Sequence, residues 1–155
     1  MDLQLLSDRA EIMDLMNRYA LGVDLRDWAA YRSCFADEIE LDITTPGWPD
    51  KINADDWVVR IRAGIEALKA TQHQMSNHTI NIDGDQADSI TYVRATHHLP
   101  SDQGDGQHTI VGYYNNKLIR TEQGWKIRRF NLTNLWNEGN LYLRELMAQA
   151  RNKVQ

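Results

Sequence analysis

The sequence predicts a single α+β domain, with helices in its first half and a curved antiparallel sheet in its second. Apolar residues recur at helical spacing over 8–22 and about 55–70, and from residue 72 onward the apolar period changes to two. Runs of helices followed by runs of strands favour the α+β class, with the helices packed on one face of the sheet. A long curved sheet wrapped around a helix leaves a cone-shaped pocket, which is the default place for a binding site.

The helical half contains three predicted helices and one strand. We predict a first helix over 8–22, a second, shorter helix from Asp24 through Phe35, a strand over 38–43 and a third helix over about 55–70. Ser7 is the expected N-cap of the first helix, and Asn53 or Asp55 that of the third. Two prolines and a glycine predict a loop over 44–51.

The second half is predicted to be a four-stranded meander followed by a short helix. The strands are expected over 72–82, 87–99, 107–120 and 125–135, and the amphipathic helix over 141–150. Turn-forming residues separate the strands, with the longest connection, a hairpin loop, over 100–106. No internal repeat or linker interrupts the chain, so we expect one domain over 1–155.

Composition excludes several classes of function. The chain has 155 residues, is 42% hydrophobic and 25% charged, and carries a formal net charge of −5, which argues against a nucleic-acid binder. No apolar stretch approaches the roughly 20 residues of a membrane helix, and the first residues lack a signal-peptide pattern. Cys34 is the single cysteine, so no disulfide can form within the chain. These features predict a cytoplasmic protein.

Asp24 and His73 are the first candidates for chemistry. Asp24 follows the first helix, where it either caps the next helix, with Asp27 completing a capping box, or directs a carboxylate oxygen into the pocket. In an extended strand, His73 shares a face with Met75 and Asn77, a mixture of apolar wall and polar anchor. The alternative is a structural, hydrogen-bonded histidine. The other face of this strand is expected to carry Gln74, Ser76 and His78.

Tyr19 and His97 are the second pair of candidates. Tyr19 lies on the first helix five residues before Asp24, where it either packs in the core or donates a hydrogen bond to a developing oxyanion. His97 falls on the more apolar face of its strand and His98 on the more polar one, so His97 is either a core residue or a pocket group.

We expect neither a metal nor a cofactor. No His-x-x-x-His pair exists, and adjacent histidines on a strand diverge, so metal ligation is not predicted. The glycine-rich fingerprints of nucleotide binding and the Gly-x-Ser-x-Gly motif are missing from the sequence.

Several motifs in order resemble one known family. These motifs are Tyr19-x-x-x-x-Asp24-x-x-Asp27-Trp28, Phe35-x-Asp37, Thr71-x-His73-x-x-x-Asn77, Gly84-Asp85-x-Ala87 and Gly124-Trp125-Lys126. Together they resemble the SnoaL-like branch of the NTF2-like superfamily. Within that branch the pattern is most similar to scytalone dehydratase, lindane dehydrochlorinase and bile-acid 7α-dehydratase.

The resemblance implies roles for particular residues. An aspartate after the first helix and a histidine on the first meander strand form the base pair of those enzymes, and Asp24 and His73 match them. Tyr19 matches a tyrosine of the bile-acid enzyme, and His97 matches a second histidine of scytalone dehydratase. Substrate-specific positions depart from the pattern: Gly112 and Tyr114 replace a serine and an asparagine, and Phe130 replaces an arginine.

These observations predict a cofactor-free lyase of the dehydratase type, or an isomerase, acting on a small apolar and cyclic molecule. Residues placed as candidate contacts to that substrate are Trp48, Trp57, Met75, Asn77, Val93, Tyr114, Phe130 and Trp136. Two alternatives remain open. One is a ligand-binding module without turnover, and the other is a structural subunit similar to the β subunit of ring-hydroxylating dioxygenases. The Asp24–His73 pair discriminates between an enzyme and a structural subunit, because a pure scaffold needs neither residue.

The only partners expected are the substrate and further copies of the chain. Six apolar residues of the later strands exceed what one pocket requires, namely Ile110, Val111, Leu118, Ile119, Ile127 and Leu132. An apolar outer sheet face is commonly buried in a symmetric oligomer. The resemblance implies a trimer first and a dimer second.

Overall fold

The structure is a computed structural model that describes residues 2–43, 47–100, 102 and 104–154. Its elements follow in the order α1 (Leu3–Asp24), α2 (Trp28–Arg32), β1 (Phe35–Asp42), β2 (Lys51–Asn53), α3 (Ala54–Glu66), β3 (Ala70–Asp83), β4 (Gln86–His98), β5 (Gln107–Thr121), β6 (Gly124–Gly139) and α4 (Tyr142–Asn152). The predicted α+β class is confirmed, with helices first and the long strands after them. Residues 44–46 of the first predicted loop, and Ser101 and Gln103 of the second, lie outside the described residues.

The sheet has six strands in the order β2-β1-β6-β5-β4-β3. Strands β3 to β6 form the predicted antiparallel meander, but β1 lies parallel to β6, with Leu41 opposite Phe130. The sheet is therefore mixed and not wholly antiparallel. The pairing of β1 with the last strand joins distant parts of the chain, and a local pattern carries no information about it. Strand β2, three residues paired with β1, had no signal in the sequence.

The first two helices begin at caps that differ from those predicted. Asp2, and not Ser7, caps α1 by accepting from the Gln4 N–H. Helix α1 continues through Asp24, and the cap of α2 is Asp27, which accepts from the Ala30 N–H. The cap prediction for Asp24 is wrong, and its carboxylate is free for other partners. The predicted Asn53 cap of α3 is confirmed.

Helix α1 fills the concave side of the sheet. Its buried side chains recur at helical spacing, at Ile12, Leu15, Met16, Tyr19 and Val23, and they join a core that continues through β1, α3 and the inner faces of the long strands. None of the helices in the described part of the chain is long and apolar enough to cross a membrane.

A β-bulge changes which residues of β3 face the core. Ser76 pairs with Tyr92 and Thr79 with Ile90, so Asn77 and His78 together stand opposite one residue, Thr91. The extra residue reverses the alternation, and His78 therefore points to the same side as His73, contrary to prediction. His78 Nδ1 lies 3.0 Å from the Thr91 hydroxyl. Asn77 is exposed with φ of 54°.

Four of the six apolar residues assigned to the outer sheet face lie inside the domain. Leu118 and Ile127 are core residues, and Ile110 and Leu132 line an interior cavity. The outer face instead presents Tyr92 and Trp136, at 53% and 50% exposure.

Candidate active site

A central cavity opens between the concave face of the sheet and helices α1, α3 and α4. The centre of a water molecule can move through about 150 Å³ of it. Its wall is largely apolar and aromatic, which suits a small apolar ligand. Eight of the residues predicted for the site line it: Tyr19, Trp48, Trp57, His73, Val93, His97, Tyr114 and Phe130.

A second depression offers more space but different chemistry. A more open groove on the surface, bordered by Arg32, Lys126 and Arg128, admits about 670 Å³ by the same measure. The cavity that contains His73 is therefore not the more voluminous of the two. We place the site in the central cavity because His73 lines it, whereas the groove contains no histidine.

Asp24 and His73 are in direct contact. His73 Nδ1 lies 2.7 Å from Asp24 Oδ1, and the backbone N–H of His73 donates to Asp24 Oδ2 over 2.7 Å. The two side chains are 7% and 14% exposed. The last residue of α1 thus holds both the ring and the backbone of a residue on β3, because α1 packs against that strand. Asp24 stands behind the ring and is not itself part of the cavity lining.

The hydrogen bonds keep Asp24 ionised. Burial by itself raises the pKa of this carboxyl, but the bonds from His73 and from the Thr71 hydroxyl, at 2.9 Å, hold the pKa below its usual value. The carboxylate accepts the Nδ1–H of His73 and so selects the tautomer whose Nε2 has no proton. This arrangement can orient an imidazole base and stabilise the imidazolium that forms.

Two hydrogen-bonded tyrosines line the cavity together with the histidine. The Tyr19 hydroxyl donates to the Tyr114 hydroxyl over 3.3 Å, which leaves the proton of Tyr114 available to a group in the cavity. Burial raises the pKa of both hydroxyls well above the usual value, so both are neutral donors. The rings of Tyr19 and His73 are 6.4 Å apart between centroids.

His97 begins a hydrogen-bonded chain that leads away from the cavity. His97 Nδ1 lies 3.2 Å from His108 Nδ1, and His108 Nε2 lies 3.0 Å from Asn137 Oδ1. That oxygen also accepts from Asn134 Nδ2, so His108 donates from Nε2 and accepts at Nδ1. His97 then carries its proton on Nδ1, and its Nε2 is an acceptor.

The charge of His97 is suppressed as well. Burial first, and then the nearby His73, His108 and Arg151, lowers the pKa of His97 to about 3. His97 is therefore neutral near pH 7 and, in this hydrogen-bonded arrangement, its Nε2 accepts a hydrogen bond at the cavity instead of donating one.

Three predicted contacts are not brought to the cavity. Asn77 is turned outward by the bulge, and Met75 and Trp136 border a separate groove that crosses β3, β4, β5 and β6. A bulge between Gly112 and Val111 on the β5–β6 pair accompanies the outward position of Trp136. None of the three lines the cavity that contains His73.

Other cavity residues were missed from sequence. His108 lies opposite His97 in the β4–β5 register, and counting back from the hairpin loop could have found it. Arg144 and Arg151 reach the cavity from α4. Their positions depend on how α4 packs on α3, which no motif indicates. Among the described residues, no group of three or more His, Cys, Asp or Glu side chains is placed to hold a metal ion.

The fold and the cavity together define the class of this protein. A curved sheet wrapped around a long first helix is the NTF2-like fold, and here it encloses a cavity with an Asp–His pair beside it. The chain belongs to the family of SnoaL-like domains, whose model matches residues 4–131. No curated protein matches the chain.

Solved structures agree with this assignment. The Kfla4162 protein from Kribbella flavida is 33% identical, with a TM-score of 0.85 over 91% of this chain and 99% of that one. A protein from Novosphingobium aromaticivorans, provisionally named an aromatic ring hydroxylase, is 26% identical, with a TM-score of 0.76 over 89% and 96% of the two chains. A hexachlorocyclohexane dehydrochlorinase, LinA type 2, is 23% identical, with a TM-score of 0.74 over 90% and 93%, and shows the fold alone.

Proposed function

We propose that the chain catalyses cofactor-free proton abstraction from carbon, as a dehydratase-like lyase or an isomerase acting on a small cyclic substrate. The observation that carries the proposal is the 2.7 Å contact between Asp24 and His73 beside a mainly apolar cavity. Membership of the SnoaL-like family and the likeness to a dehydrochlorinase support a reaction of this kind. A module that only binds a ligand does not need an imidazole base held by a carboxylate, so the Asp24–His73 pair favours catalysis.

The proposed reaction begins at His73 Nε2. This nitrogen removes a proton from a carbon next to a carbonyl or a leaving group, and the Asp24 carboxylate balances the imidazolium. In elimination, the electron pair of the C–H bond forms a double bond as the leaving group departs with its own bonding pair. In isomerisation, His73 returns the proton to a different carbon.

Tyr114 is the proposed partner of the developing oxyanion. Its proton is available because Tyr19 donates to it, and its raised pKa keeps it protonated. His97 is less suited to this role, because its hydrogen bond with His108 leaves its Nε2 as an acceptor. His97, which burial keeps neutral, is better suited to accept a hydrogen bond from a substrate hydroxyl.

Carbon–deuterium exchange tests the base directly. Cyclic ketones incubated in D₂O should exchange the hydrogen next to the carbonyl, followed by ¹H NMR, and a panel of β-hydroxy and β-chloro cyclic compounds would reveal elimination. The variant His73→Gln should fold and lose at least about 10²-fold in rate, because the amide cannot accept the proton. His78→Gln is the matched control, since His78 lies on the same strand and face but outside the cavity.

Asp24→Asn should lose a similar factor, because an amide no longer balances the imidazolium. The losses should not multiply in the double variant, since an orienting residue has no effect once the base is gone. Multiplicative losses, or full activity in His73→Gln, would contradict the proposed pair.

A further inference from the structure

Arg26 follows the last turn of α1 in a backbone conformation that favours glycine. Its φ is 57°, and its N–H donates to the Val23 carbonyl over 3.2 Å, a bond that commonly ends a helix at a glycine. A residue with a side chain is strained in this left-handed region, and such strain persists where surrounding contacts hold it. The contacts of the Arg26 side chain therefore indicate what this position does.

The Arg26 guanidinium joins three elements at one point. Nη1 donates to the Asp24 carbonyl at the end of α1 over 3.0 Å and to the Thr71 hydroxyl on β3 over 3.4 Å. Nη2 donates to the carbonyls of Ile65 and Leu68, at and just beyond the end of α3, over 3.4 Å each. The carboxyl ends of helices carry partial negative charge and favour a cation. The three longer bonds are weaker singly, but together they hold the guanidinium between the elements.

Thr71 connects this arginine to the candidate base. A guanidinium can only donate, so the Thr71 hydroxyl accepts from Arg26 and directs its own proton to Asp24 Oδ1, 2.9 Å away. The same oxygen accepts from Nδ1 of His73 over 2.7 Å. One carboxylate oxygen thus lies between the imidazole and a hydroxyl that Arg26 orients.

Arg26 is placed to act on the pair without touching a ligand. The described lining of the central cavity includes His73 but neither Arg26 nor Thr71. Arg26 is half-buried, and its four acceptors are three carbonyls and one hydroxyl. An effect of this side chain on the chemistry must therefore pass through the geometry of Asp24 and His73.

We propose that Arg26 is the positioning residue of the Asp24–His73 pair, which it serves by orienting Thr71 and by fixing the end of α1 against β3. With the carboxylate held on Nδ1, the imidazole keeps its proton there and presents an unprotonated Nε2 to the cavity. With the carboxylate free to turn, the two tautomers mix and fewer molecules contain a competent base. The effect on turnover rests on the proposed function, whereas the tautomer of His73 is measurable without any substrate.

The Arg26→Gly variant separates positioning from backbone strain. It removes the guanidinium, and it also relieves the positive φ, so only side-chain contacts are lost. Ring-¹⁵N NMR of the histidines at about pH 9, where an ordinary imidazole is neutral, reports each tautomer, and His73→Gln assigns the signals of His73. We expect the proton of His73 on Nδ1 in the wild type and a mixture of tautomers in Arg26→Gly. An unchanged tautomer in folded Arg26→Gly would overturn the proposal.

Turnover in the carbon–deuterium exchange assay gives a second readout. Arg26→Gly should lower kcat about 10-fold and change KM less than about two-fold, because the base is displaced while the ligand contacts remain. Arg26→Lys should recover part of the rate, since lysine keeps the charge without the planar fork. Arg62→Gln, at an exposed arginine paired with Glu66 on α3, is the control and should keep both constants. A raised KM with unchanged kcat would contradict a positioning role.

Thr71 variants test the connection independently, even where Arg26→Gly does not fold. Thr71→Val keeps the shape of the side chain without the hydroxyl, so it should reproduce the mixed tautomer and the lower kcat, and Thr71→Ser should recover most of both. Thr79→Val is the control, because Thr79 is an exposed threonine on the same strand. Thr71→Val with the wild-type tautomer and rate would overturn the proposed connection.

Failure of the positioning role is distinguishable from failure of the proposed reaction. A protein without turnover, in which Arg26→Gly and Thr71→Val both disturb the His73 tautomer, would support the positioning role and remove the lyase or isomerase. Exchange that is lost in His73→Gln but is unchanged in Arg26→Gly and Thr71→Val would keep the base and overturn the positioning role.

Discussion

Asn77 holds a backbone conformation that few residues adopt. Its φ of 54° lies in the left-handed region, where Asn and Gly are tolerated and other L-residues pay about 1–2 kcal/mol. The side chain is exposed at the β3 bulge and does not line the cavity. This one residue sets the inward direction of His78 and of the strand beyond it.

Substitution at Asn77 should therefore affect stability and spare turnover. We expect Asn77→Ala to lower the free energy of unfolding by about 1 kcal/mol, and Asn77→Gly to leave it unchanged or raise it slightly. Urea unfolding measures both, with the exposed neighbour variant Ser76→Ala as control. A large loss of turnover in a stable Asn77→Gly variant would instead show that Asn77 contacts the substrate, as the sequence predicted.

At the scale of elements, the close approach of α1 and α2 positions the candidate base. A Cβ at Gly22 would lie 2.8 Å from the Tyr31 backbone nitrogen and 2.9 Å from its Cβ, so only glycine fits this crossing. The crossing carries Asp24 at the end of α1 and Tyr31 on α2, and the Tyr31 hydroxyl accepts from Trp57 Nε1 over 3.0 Å. The two helices are thus linked to the wall of the cavity.

Gly22→Ala tests whether that contact is tight. Alanine is favoured over glycine within a helix by about 1 kcal/mol, but the clash with Tyr31 should dominate and cost about 1–3 kcal/mol net. Leu21→Ala is the control, because Leu21 is the neighbouring residue and its side chain is 56% exposed. Urea unfolding gives the difference, and a more stable Gly22→Ala variant would show that α2 moves aside freely.

For the whole molecule, buried histidines predict a loss of stability on acidification. Burial lowers the pKa of His97 to about 3 and also lowers the pKa of His108. The unfolded chain binds these protons near pH 6.5, whereas the folded chain does not, so stability rises with pH between about 3 and about 6.5. Asp8, whose pKa is held low mainly by hydrogen bonds from Arg120, adds its own loss only below about pH 4.

Unfolding in urea at pH 5 and pH 7 checks this dependence. A fully suppressed histidine contributes at most about 2 kcal/mol over this range, and the folded chain should be more stable at pH 7. His97→Asn should reduce the difference in stability between pH 5 and pH 7, whereas replacement of the exposed residue Asp2 should not reduce it. Equal stability at the two pH values would contradict the buried, neutral state of His97.

The outer face of the sheet is the surface through which we expect copies of the chain to associate. Tyr92 and Trp136 are about half exposed there, with Val111 beside them, and we expect this face to pair with copies of the chain, in a trimer first or a dimer second. Light scattering at micromolar concentration measures the mass. Trp136→Glu combined with Tyr92→Glu should dissociate the assembly, whereas Leu3→Glu, at an exposed position on α1, should not. A wild-type chain that is monomeric at this concentration would refute the expectation.

Local pattern was sufficient for the order of the elements other than β2, and it pointed to two residues of the candidate site. The change of apolar period from helical spacing to two marks the passage from α3 to β3, because each period reports which side chains a single element buries. Asp24 and His73 were identified because each combined a chemically suitable side chain with a position next to a predicted pocket. The resemblance to SnoaL-like proteins pointed to the same pair.

The tertiary structure decided the residues that depend on how elements meet. The bulge at Asn77 removed a predicted contact, because one inserted residue reverses every later side chain of a strand. Packing of α4 across the cavity brought in Arg144 and Arg151, and the β4–β5 register brought His108 to His97. These placements arise from contacts between residues distant in sequence. The periodicity of a single segment records which face is buried, and it does not record what that face is buried against.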